Sequence, residues 1–283
     1  MDYSSTPTIE SPPPSAKSKP MDNPGPALQV LWPQKFPVLQ VLVSATTYQE
    51  LTQTILRAAQ LRQPAIVSCH AVHAIVTASD SPELCQKVNS FDAVTPDGQP
   101  VRWALRWLHR VKLRDRVYGP ELMVQVCRAA AEARVGVYLY GGTPEVLERL
   151  TRVLRERFPD LKLHGDAPPF RPLTAEEDQQ VVERIAASGA GIVFIGLGCP
   201  KQDEFAFAHR DRLDAVQICV GAAFDFHAGV KPMAPRWMQR MGLEWLFRLW
   251  QEPRRLWRRY LYTNSRYLWL LFLQFLRKRT PPN

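Results

Sequence analysis

Residues 135–150 read VGVYLYGGTPEVLERL, and this stretch contains the repeating unit of the fold. The run VGVYLY predicts a buried strand, because β-branched and aromatic residues favour extended structure. Gly141 and Gly142 end that strand, and a helical pattern begins at Pro144, a residue type favoured in the first turn of a helix. The stretch therefore predicts a strand, a tight turn and a helix in succession.

The same alternation extends in both directions from this unit. Further strands are predicted at VLQVLVSA (38–45), PAIVSC (64–69), FDAVTPDG (91–98), LKLHG (161–165), GIVFIGLG (191–198) and VQICVGAAFDF (216–226), and helices at 48–62, up to 77, at 100–108, 144–158 and 174–188. Thr174 and Glu177 have the spacing of a capping box. Short strands alternating with helices predict an α/β fold, a Rossmann-like, mostly parallel sheet with helices on both faces.

The 283 residues divide into three predicted regions. Residues 1–36 are rich in Pro and Ser and predict a disordered leader, residues 37–235 an α/β domain, and residues 236–283 a helical appendage. The start of the chain lacks the apolar stretch of a signal peptide, and the apolar run at 267–276 is about half the roughly 20 residues that span a bilayer. The five cysteines form no Cys-x-x-Cys pair. We therefore expect a cytoplasmic protein without a transmembrane helix.

Positive charge is concentrated in the appendage. It holds eleven of the 36 Lys and Arg residues but only two of the 27 Asp and Glu residues, so the whole net charge of +9 resides there, with five of the eight tryptophans. A helix here would place Leu246 and Trp257 on one side and Arg248 and Arg255 on the other, with a break at Pro253. Such a basic, amphipathic segment favours an anionic membrane surface. Nucleic-acid binding and a pair of core-packing helices are the alternatives, and the aliphatic run at 267–276 argues against nucleic acid.

Ligands of parallel sheets bind where the strands end, so the turns that follow the strands are candidate sites. The Gly141-Gly142 turn would let a phosphate approach the backbone, although a plain tight turn explains it equally well. The turn at 192–202 (IVFIGLGCPKQ) offers a cation and an amide at the mouth of the sheet, and a solvated helix start is the alternative. Its candidate residues are Gly196, Gly198, Pro200, Lys201 and Gln202.

Two aspartates follow other strands. Asp97 lies between Pro96 and Gly98, where a carboxylate on a rigid turn would suit a general base, although Asp-Gly is also a common turn dipeptide. Asp225 lies between two phenylalanines at an expected strand end, and a buried carboxylate there needs substrate hydroxyls, an arginine or a structural salt bridge as its partner.

A metal site is not expected. His70 and His73 stand at positions i and i+3, which share a helix face, but no third ligand lies near them in the sequence. Cys69 and Cys199 border candidate turns without an evident activating base, so packing is their expected role.

Taken together and in order, the motifs resemble the WecG/TagA/CpsF glycosyltransferases. The motifs are TPDGQPVRWA, RVYGPELM, VYLYGGTPEV, GIVFIGLGCPKQDEF, VGAAFDFHAG and APRWMQRMGLEWLFRLWQEPRRLWRRYL. The resemblance implies inverting transfer of N-acetylmannosamine or a related hexose from a UDP-sugar to undecaprenyl-diphosphate-linked N-acetylglucosamine. It also implies a peripheral enzyme on the inner face of the cell membrane, with no metal or other cofactor, no nucleic-acid partner and a possible homo-oligomer.

The resemblance also assigns roles to residues. Asp97 becomes the general base and Ser68 helps to position substrate, while the Gly141-Gly142 and Gly196–Gln202 turns with Asp225 become the donor site. Arg248, Arg255 and Arg258 become the residues that bind the diphosphate. Ser68 and His70 stand where the family usually has Thr and Asn, and Thr95-Pro96 replace Asn-Ala ahead of the aspartate, so the sugar preference is open. A non-catalytic protein that binds a nucleotide-sugar or lipid remains the alternative.

Overall fold

The computed structural model describes residues 29–279 except Phe170. Its strands are β1 (Lys35–Val38), β2 (Val41–Ser44), β3 (Ala65–His70), β4 (Ala93–Pro96), β5 (Val137–Gly141), β6 (Leu163–Asp166), β7 (Ile192–Gly196) and β8 (Val216–Cys219). Its helices are α1 (Tyr48–Gln60), α2 (Val72–Ser79), α3 (Pro82–Asn89), α4 (Gln99–His109), α5 (Gly119–Glu132), α6 (Pro144–Arg157), α7 (Ala175–Ala187), α8 (Lys201–Ala208), α9 (Ala223–His227), α10 (Arg236–Arg240), α11 (Glu244–Gln251) and α12 (Pro253–Arg279).

Six strands form one parallel sheet in the order β4-β3-β8-β7-β5-β6. Successive residues of a strand point to opposite faces, and each face has its own core. Leu139 and Phe194 belong to the core on one face, whereas Tyr138 and Val193 belong to the core on the other. Burial on both faces explains why these strands are continuous apolar runs, and it confirms the predicted α/β fold.

Local sequence signals fix several of the helices. The Thr174 side chain accepts a hydrogen bond from the Glu177 amide and Glu177 reaches back to the Thr174 amide, which confirms the predicted capping box at α7. Helix α6 begins at Pro144, as predicted, and Thr143 caps it. Helix α12 begins at Pro253, where the sequence predicts a break.

The structure corrects the first and the last strand that the sequence predicts. VLQVLVSA is an antiparallel hairpin of β1 and β2, turning at Leu39 with a positive φ of 55°, and it lies outside the parallel sheet. Strand β1 begins at Lys35, inside the region assigned to the leader, while residues 1–28 lie outside the described residues. Helices α3 and α5 were not predicted. Strand β8 ends at Cys219, so Asp225 lies in the short helix α9 and not at a strand end.

The C-terminal helices form part of the core. Helix α12 packs on α2 and α4, and its Tyr267 and Leu271 are buried in one of the two cores. Trp269 and Phe272 of the same helix are more than half exposed, at 56% and 53%. The apolar run at 267–276 therefore serves the core with one side and faces outward with the other. No helix in the described part of the chain is long and apolar enough to cross a membrane.

Candidate functional site

A cavity of about 1310 Å³ opens at the carboxyl ends of the parallel strands. Its floor consists of residues at the ends of the strands and in the turns that follow them, and the C-terminal helices cover it from the other side. The floor includes Cys69, Asp97, Gly98, Gly142, Gly196, Gly198 and Gly221, and the cover includes Glu244, Trp245, Arg248, Arg255, Arg259, Tyr260 and Leu268. The cavity lies where parallel sheets bind ligands and is large enough for more than one small molecule.

Asp97 faces this cavity directly after β4. Its Oδ2 accepts a hydrogen bond of 2.8 Å from the Gly119 amide at the start of α5. Burial raises the pKa of Asp97 to about 6, although the Arg116 guanidinium and the Gly119 amide act in the opposite direction. A carboxylate with this pKa accepts protons near neutral pH, which is the property that a general base needs.

Arg116 lies beside Asp97 and is almost fully buried, at 4% exposure. It forms an ion pair with Glu244 of α11, and its Nη2 donates a 3.3 Å hydrogen bond to Gln239 Oε1. Its guanidinium also lies 4.2 Å from the centre of the Tyr118 ring. Arg116 is the first residue of the motif RVYGPELM, but nothing in the sequence around it indicates a role. Only the fold brings it against Glu244, which is 128 positions away.

Ser68 and His70 face a third residue that the sequence analysis missed. Ser68 Oγ donates a 2.6 Å hydrogen bond to Asp203 Oδ1, and His70 Nε2 lies 3.3 Å from the same oxygen. Although burial opposes it, the His70 ring holds the pKa of Asp203 below its usual value. Ser68 is fully buried and contacts Asp203, so its expected role in positioning substrate stays a prediction that would act through Asp203.

His70 and His73 do not face one ligand together. His70 belongs to β3 and contacts Asp203, whereas His73 belongs to α2 and lines the cavity. Burial lowers the pKa of His73 to about 3, so the ring is neutral at physiological pH. Among the described residues, no three His, Cys, Asp or Glu side chains are grouped closely enough to hold a metal ion.

Most of the expected donor-site residues line the cavity, namely Gly142, Gly196, Gly198, Lys201, Gln202 and Asp225. Gln202 is 3% exposed, and its Oε1 has no hydrogen-bond partner within the described chain. A buried amide oxygen at a cavity wall is a ready acceptor for a ligand hydroxyl or amide.

The structure places Gly141 and Pro200 behind the cavity wall. Gly141 has φ +139°, and a Cβ at this position would lie 2.6 Å from the backbone of Gly196. Its glycine identity therefore serves the close packing of β5 on β7 and not the approach of a phosphate. Pro200 precedes α8 and follows Cys199 through a cis peptide bond.

Asp225 has a partner within the protein. Its Oδ2 lies 2.7 Å from Lys231 Nζ, and Lys231 Nζ lies 3.8 Å from Glu252 Oε1. This arrangement matches the structural salt bridge that the sequence analysis gave as one of its alternatives. Because Asp225 also lines the cavity, it remains within reach of a bound ligand.

Three arginines face the cavity from the C-terminal helices. They are Arg248, Arg255 and Arg259. Arg248 lies 5.7 Å from the Phe226 ring centre, and Arg255 pairs with Glu252. Arg258, which the sequence analysis chose, lies 5.2 Å from the Trp257 ring centre and outside the cavity lining, where Arg259 takes its place. The cover of the cavity is therefore strongly basic.

One family of known proteins matches the chain. The family model described as glycosyl transferase WecG/TagA/CpsF matches residues 36–281, which is most of the chain. The match confirms the resemblance drawn from the ordered motifs, and a glycosyltransferase of this type takes a sugar donor and a glycolipid acceptor. The chain, with its basic cavity above a parallel sheet, belongs to the WecG/TagA/CpsF family of glycosyltransferases.

Proposed function

We propose that the protein transfers N-acetylmannosamine or a related hexose from a UDP-sugar to undecaprenyl-diphosphate-linked N-acetylglucosamine, with inversion at the sugar. The observation that carries the proposal is the position of Asp97, whose pKa is raised to about 6 and which faces a cavity covered by arginines. A base and a group of cations on opposite walls suit a reaction that removes a proton at one atom and releases an anion at another.

In the proposed reaction, Asp97 removes the proton from the acceptor hydroxyl. The hydroxyl oxygen then forms a bond to the anomeric carbon of the donor sugar, and the bond from that carbon to the UDP oxygen breaks. Because attack and departure occur on opposite faces, one displacement inverts the anomeric centre. The charge that develops on UDP needs compensation, and Lys201 with Arg248, Arg255 and Arg259 supplies it without a metal or other cofactor.

The donor is proposed to lie along the turns after β7 and β8. Gly198 and Gly221 leave the backbone open to the cavity, and Gln202 offers its unpaired Oε1 for a sugar or base contact. Asp225 is proposed to bind donor hydroxyls with the oxygen that Lys231 does not hold. The remaining volume, under α11 and α12, is proposed for the acceptor.

The acceptor is proposed to arrive from a membrane surface on the cytoplasmic side. Exposed aromatic and aliphatic side chains are concentrated on α10 to α12, including Trp237, Trp250, Trp257, Leu261, Leu268, Trp269 and Phe272. Arginines are interspersed among them, which suits an interface between acyl chains and anionic headgroups. The enzyme is therefore proposed to be peripheral, with its cavity opening beside the lipid.

The test is UDP release from a panel of UDP-sugars that includes UDP-N-acetylmannosamine, in detergent, with a short-chain lipid diphosphate N-acetylglucosamine as acceptor. We expect release that depends on the acceptor and on one donor, and product analysis should show the inverted linkage. Release that does not depend on the acceptor would indicate hydrolysis. UDP binding without release for any donor would reject this reaction and favour a non-catalytic binding protein.

A further inference from the structure

The ion pair of Arg116 and Glu244 joins the α/β domain to the C-terminal helices beside Asp97. Arg116 lies three positions before Gly119, whose amide binds the Asp97 carboxylate. Glu244 is the first residue of α11. The contact thus lies between the proposed base and the helices that cover the cavity.

The hydrogen-bond acceptors of the Arg116 side chain hold its guanidinium against the C-terminal helices. In the described chain, its guanidinium donates hydrogen bonds to Glu244 and to Gln239 Oε1, and neither bond goes to Asp97. Gln239 is itself held in place, because its amide nitrogen donates a 2.8 Å hydrogen bond to the Ala234 carbonyl. Both acceptors of the Arg116 side chain therefore belong to the segment that covers the cavity.

Few groups near Asp97 carry charge at neutral pH. The uncharged ones are Tyr48, Cys69 and Tyr118, whose ordinary pKa values lie above neutral pH and are raised further by burial. The charged ones are Arg116, Glu244 and Arg248, with Asp115 next to Arg116 in the chain. Arg116 favours the ionised form of Asp97, and Glu244 disfavours it. The pKa of Asp97 therefore depends on where the Arg116 guanidinium is held.

We propose that Glu244 is a positioning residue that holds the Arg116 guanidinium away from Asp97, so that Asp97 remains an effective base only while α11 is seated on the α/β domain. This proposal rests on the proposed function of Asp97 and adds a condition for it. When α11 separates from the α/β domain, Arg116 loses both of its acceptors, and its guanidinium, whose charge already acts on Asp97, becomes free to pair with that carboxylate. The pair that then forms weakens the base and makes proton removal slower.

The first measurement is the titration of the Asp97 carboxyl in the full chain, by carbon-13 NMR without substrate. The Asp97→Asn variant identifies the Asp97 signal. In Glu244→Gln we expect the midpoint to fall by about one pH unit or more, the effect of an uncompensated cation beside an aspartate. Glu148→Gln is the control, because Glu148 forms an exposed ion pair with Arg152 on α6. An unchanged midpoint in folded Glu244→Gln would overturn the proposal.

Two further variants test whether Glu244 acts through Arg116, and the double variant avoids the unpaired buried Arg116 charge that Glu244→Gln leaves. Arg116→Gln should raise the midpoint, and the double variant Arg116→Gln with Glu244→Gln should titrate like Arg116→Gln, because Glu244 acts through Arg116. A double variant whose midpoint falls by about one pH unit below that of Arg116→Gln contradicts this route. In enzyme that transfers sugar, the acid limb of kcat/KM should move with each midpoint. Since the NMR titration needs no turnover, it remains decisive if the proposed reaction itself fails.

Discussion

At Asp97, burial and the neighbouring donors act on one carboxylate in opposite directions. Burial raises its pKa to about 6, while the Gly119 amide and the Arg116 charge limit the rise. Replacing Asp97 with Asn keeps the shape but removes the proton acceptor. We expect transfer to fall by about 10²- to 10⁴-fold, the usual contribution of a general base, with UDP affinity unchanged. Initial rates and calorimetric titration with UDP measure the two quantities.

Asp160→Asn is the matched control, because Asp160 is an exposed aspartate in the turn after α6. It should transfer sugar at the rate of the unmodified protein. Full activity in a folded Asp97→Asn protein would remove Asp97 from the mechanism.

The pH dependence tests the same residue without a mutation. Asp97 must be ionised to act as a base, and its pKa is raised to about 6, so kcat/KM should increase tenfold per pH unit below about pH 6 and level off above it. The kcat/KM profile is the relevant one because it reports the free enzyme. A limb centred near pH 4 would mean that the base is an exposed carboxylate and not Asp97.

Arg258 and Arg259 provide a comparison of adjacent residues. Arg259 lines the cavity, whereas Arg258 lies over the Trp257 ring outside it. We expect Arg259→Ala to lower kcat by about 10- to 10³-fold, because a cation that offsets the charge of the leaving group is lost. Arg258→Ala should stay within about twofold when the acceptor is in detergent. Equal losses in the two variants would contradict the orientation of α12.

At the scale of elements, the turn between β5 and α6 depends on Gly141. A Cβ on Gly141 would lie 2.6 Å from the Gly196 backbone, and its φ of +139° is strained for any other residue. Gly141→Ala should lower the free energy of unfolding by about 2–4 kcal/mol, from backbone strain and overpacking. Urea denaturation followed by circular dichroism measures the change.

Gly189 provides a comparison that separates backbone strain from overpacking. It also has a positive φ, of +65°, but a Cβ there would meet nothing within 4 Å. Gly189→Ala should therefore cost only about 1–2 kcal/mol, from the left-handed backbone alone. A loss at Gly189 as large as that at Gly141 would show that overpacking contributes nothing.

The elements that the sequence predicts are those with a strong local signal. The strand before Gly141 and the capped helix after Thr174 need no knowledge of the rest of the chain. The hairpin was missed because Leu39 adopts the positive φ at its turn, a conformation that a β-turn signal normally assigns to Gly or Asn. Asp203 was missed because its partner Ser68 is 135 positions away, and only the packing of α8 against β3 brings the two together.

At the scale of the whole molecule, α12 serves both the core and the outer surface. Leu271 is 9% exposed and Trp269 is 56% exposed, two positions apart on the same helix. Trp269→Ala should weaken binding to anionic vesicles by about tenfold, because a large side chain contributes on the order of 1.5 kcal/mol when it leaves water. It should leave the melting temperature unchanged. Vesicle sedimentation and thermal unfolding measure the two effects.

Leu271→Ala is the complementary variant. It should destabilise the protein by about 2–5 kcal/mol, as loss of a buried leucine side chain does, and leave vesicle binding of the folded protein unchanged. The reverse outcome, with Trp269 needed for stability and Leu271 for binding, would require α12 to be rotated. The charge and tryptophan content of residues 236–283 predict an attachment surface, with core-packing helices as an alternative, and the buried side of α12 matches that alternative.

The last long helix is also joined to the first hairpin. Gln274 of α12 accepts a 2.9 Å hydrogen bond from the Leu39 amide and donates a 3.1 Å hydrogen bond to the Pro37 carbonyl. The Leu39 amide can exchange its hydrogen with solvent deuterium only when this contact opens. Its exchange rate therefore measures how often α12 separates from the hairpin. Slower exchange in the presence of vesicles would show that lipid binding stabilises the packed position of α12.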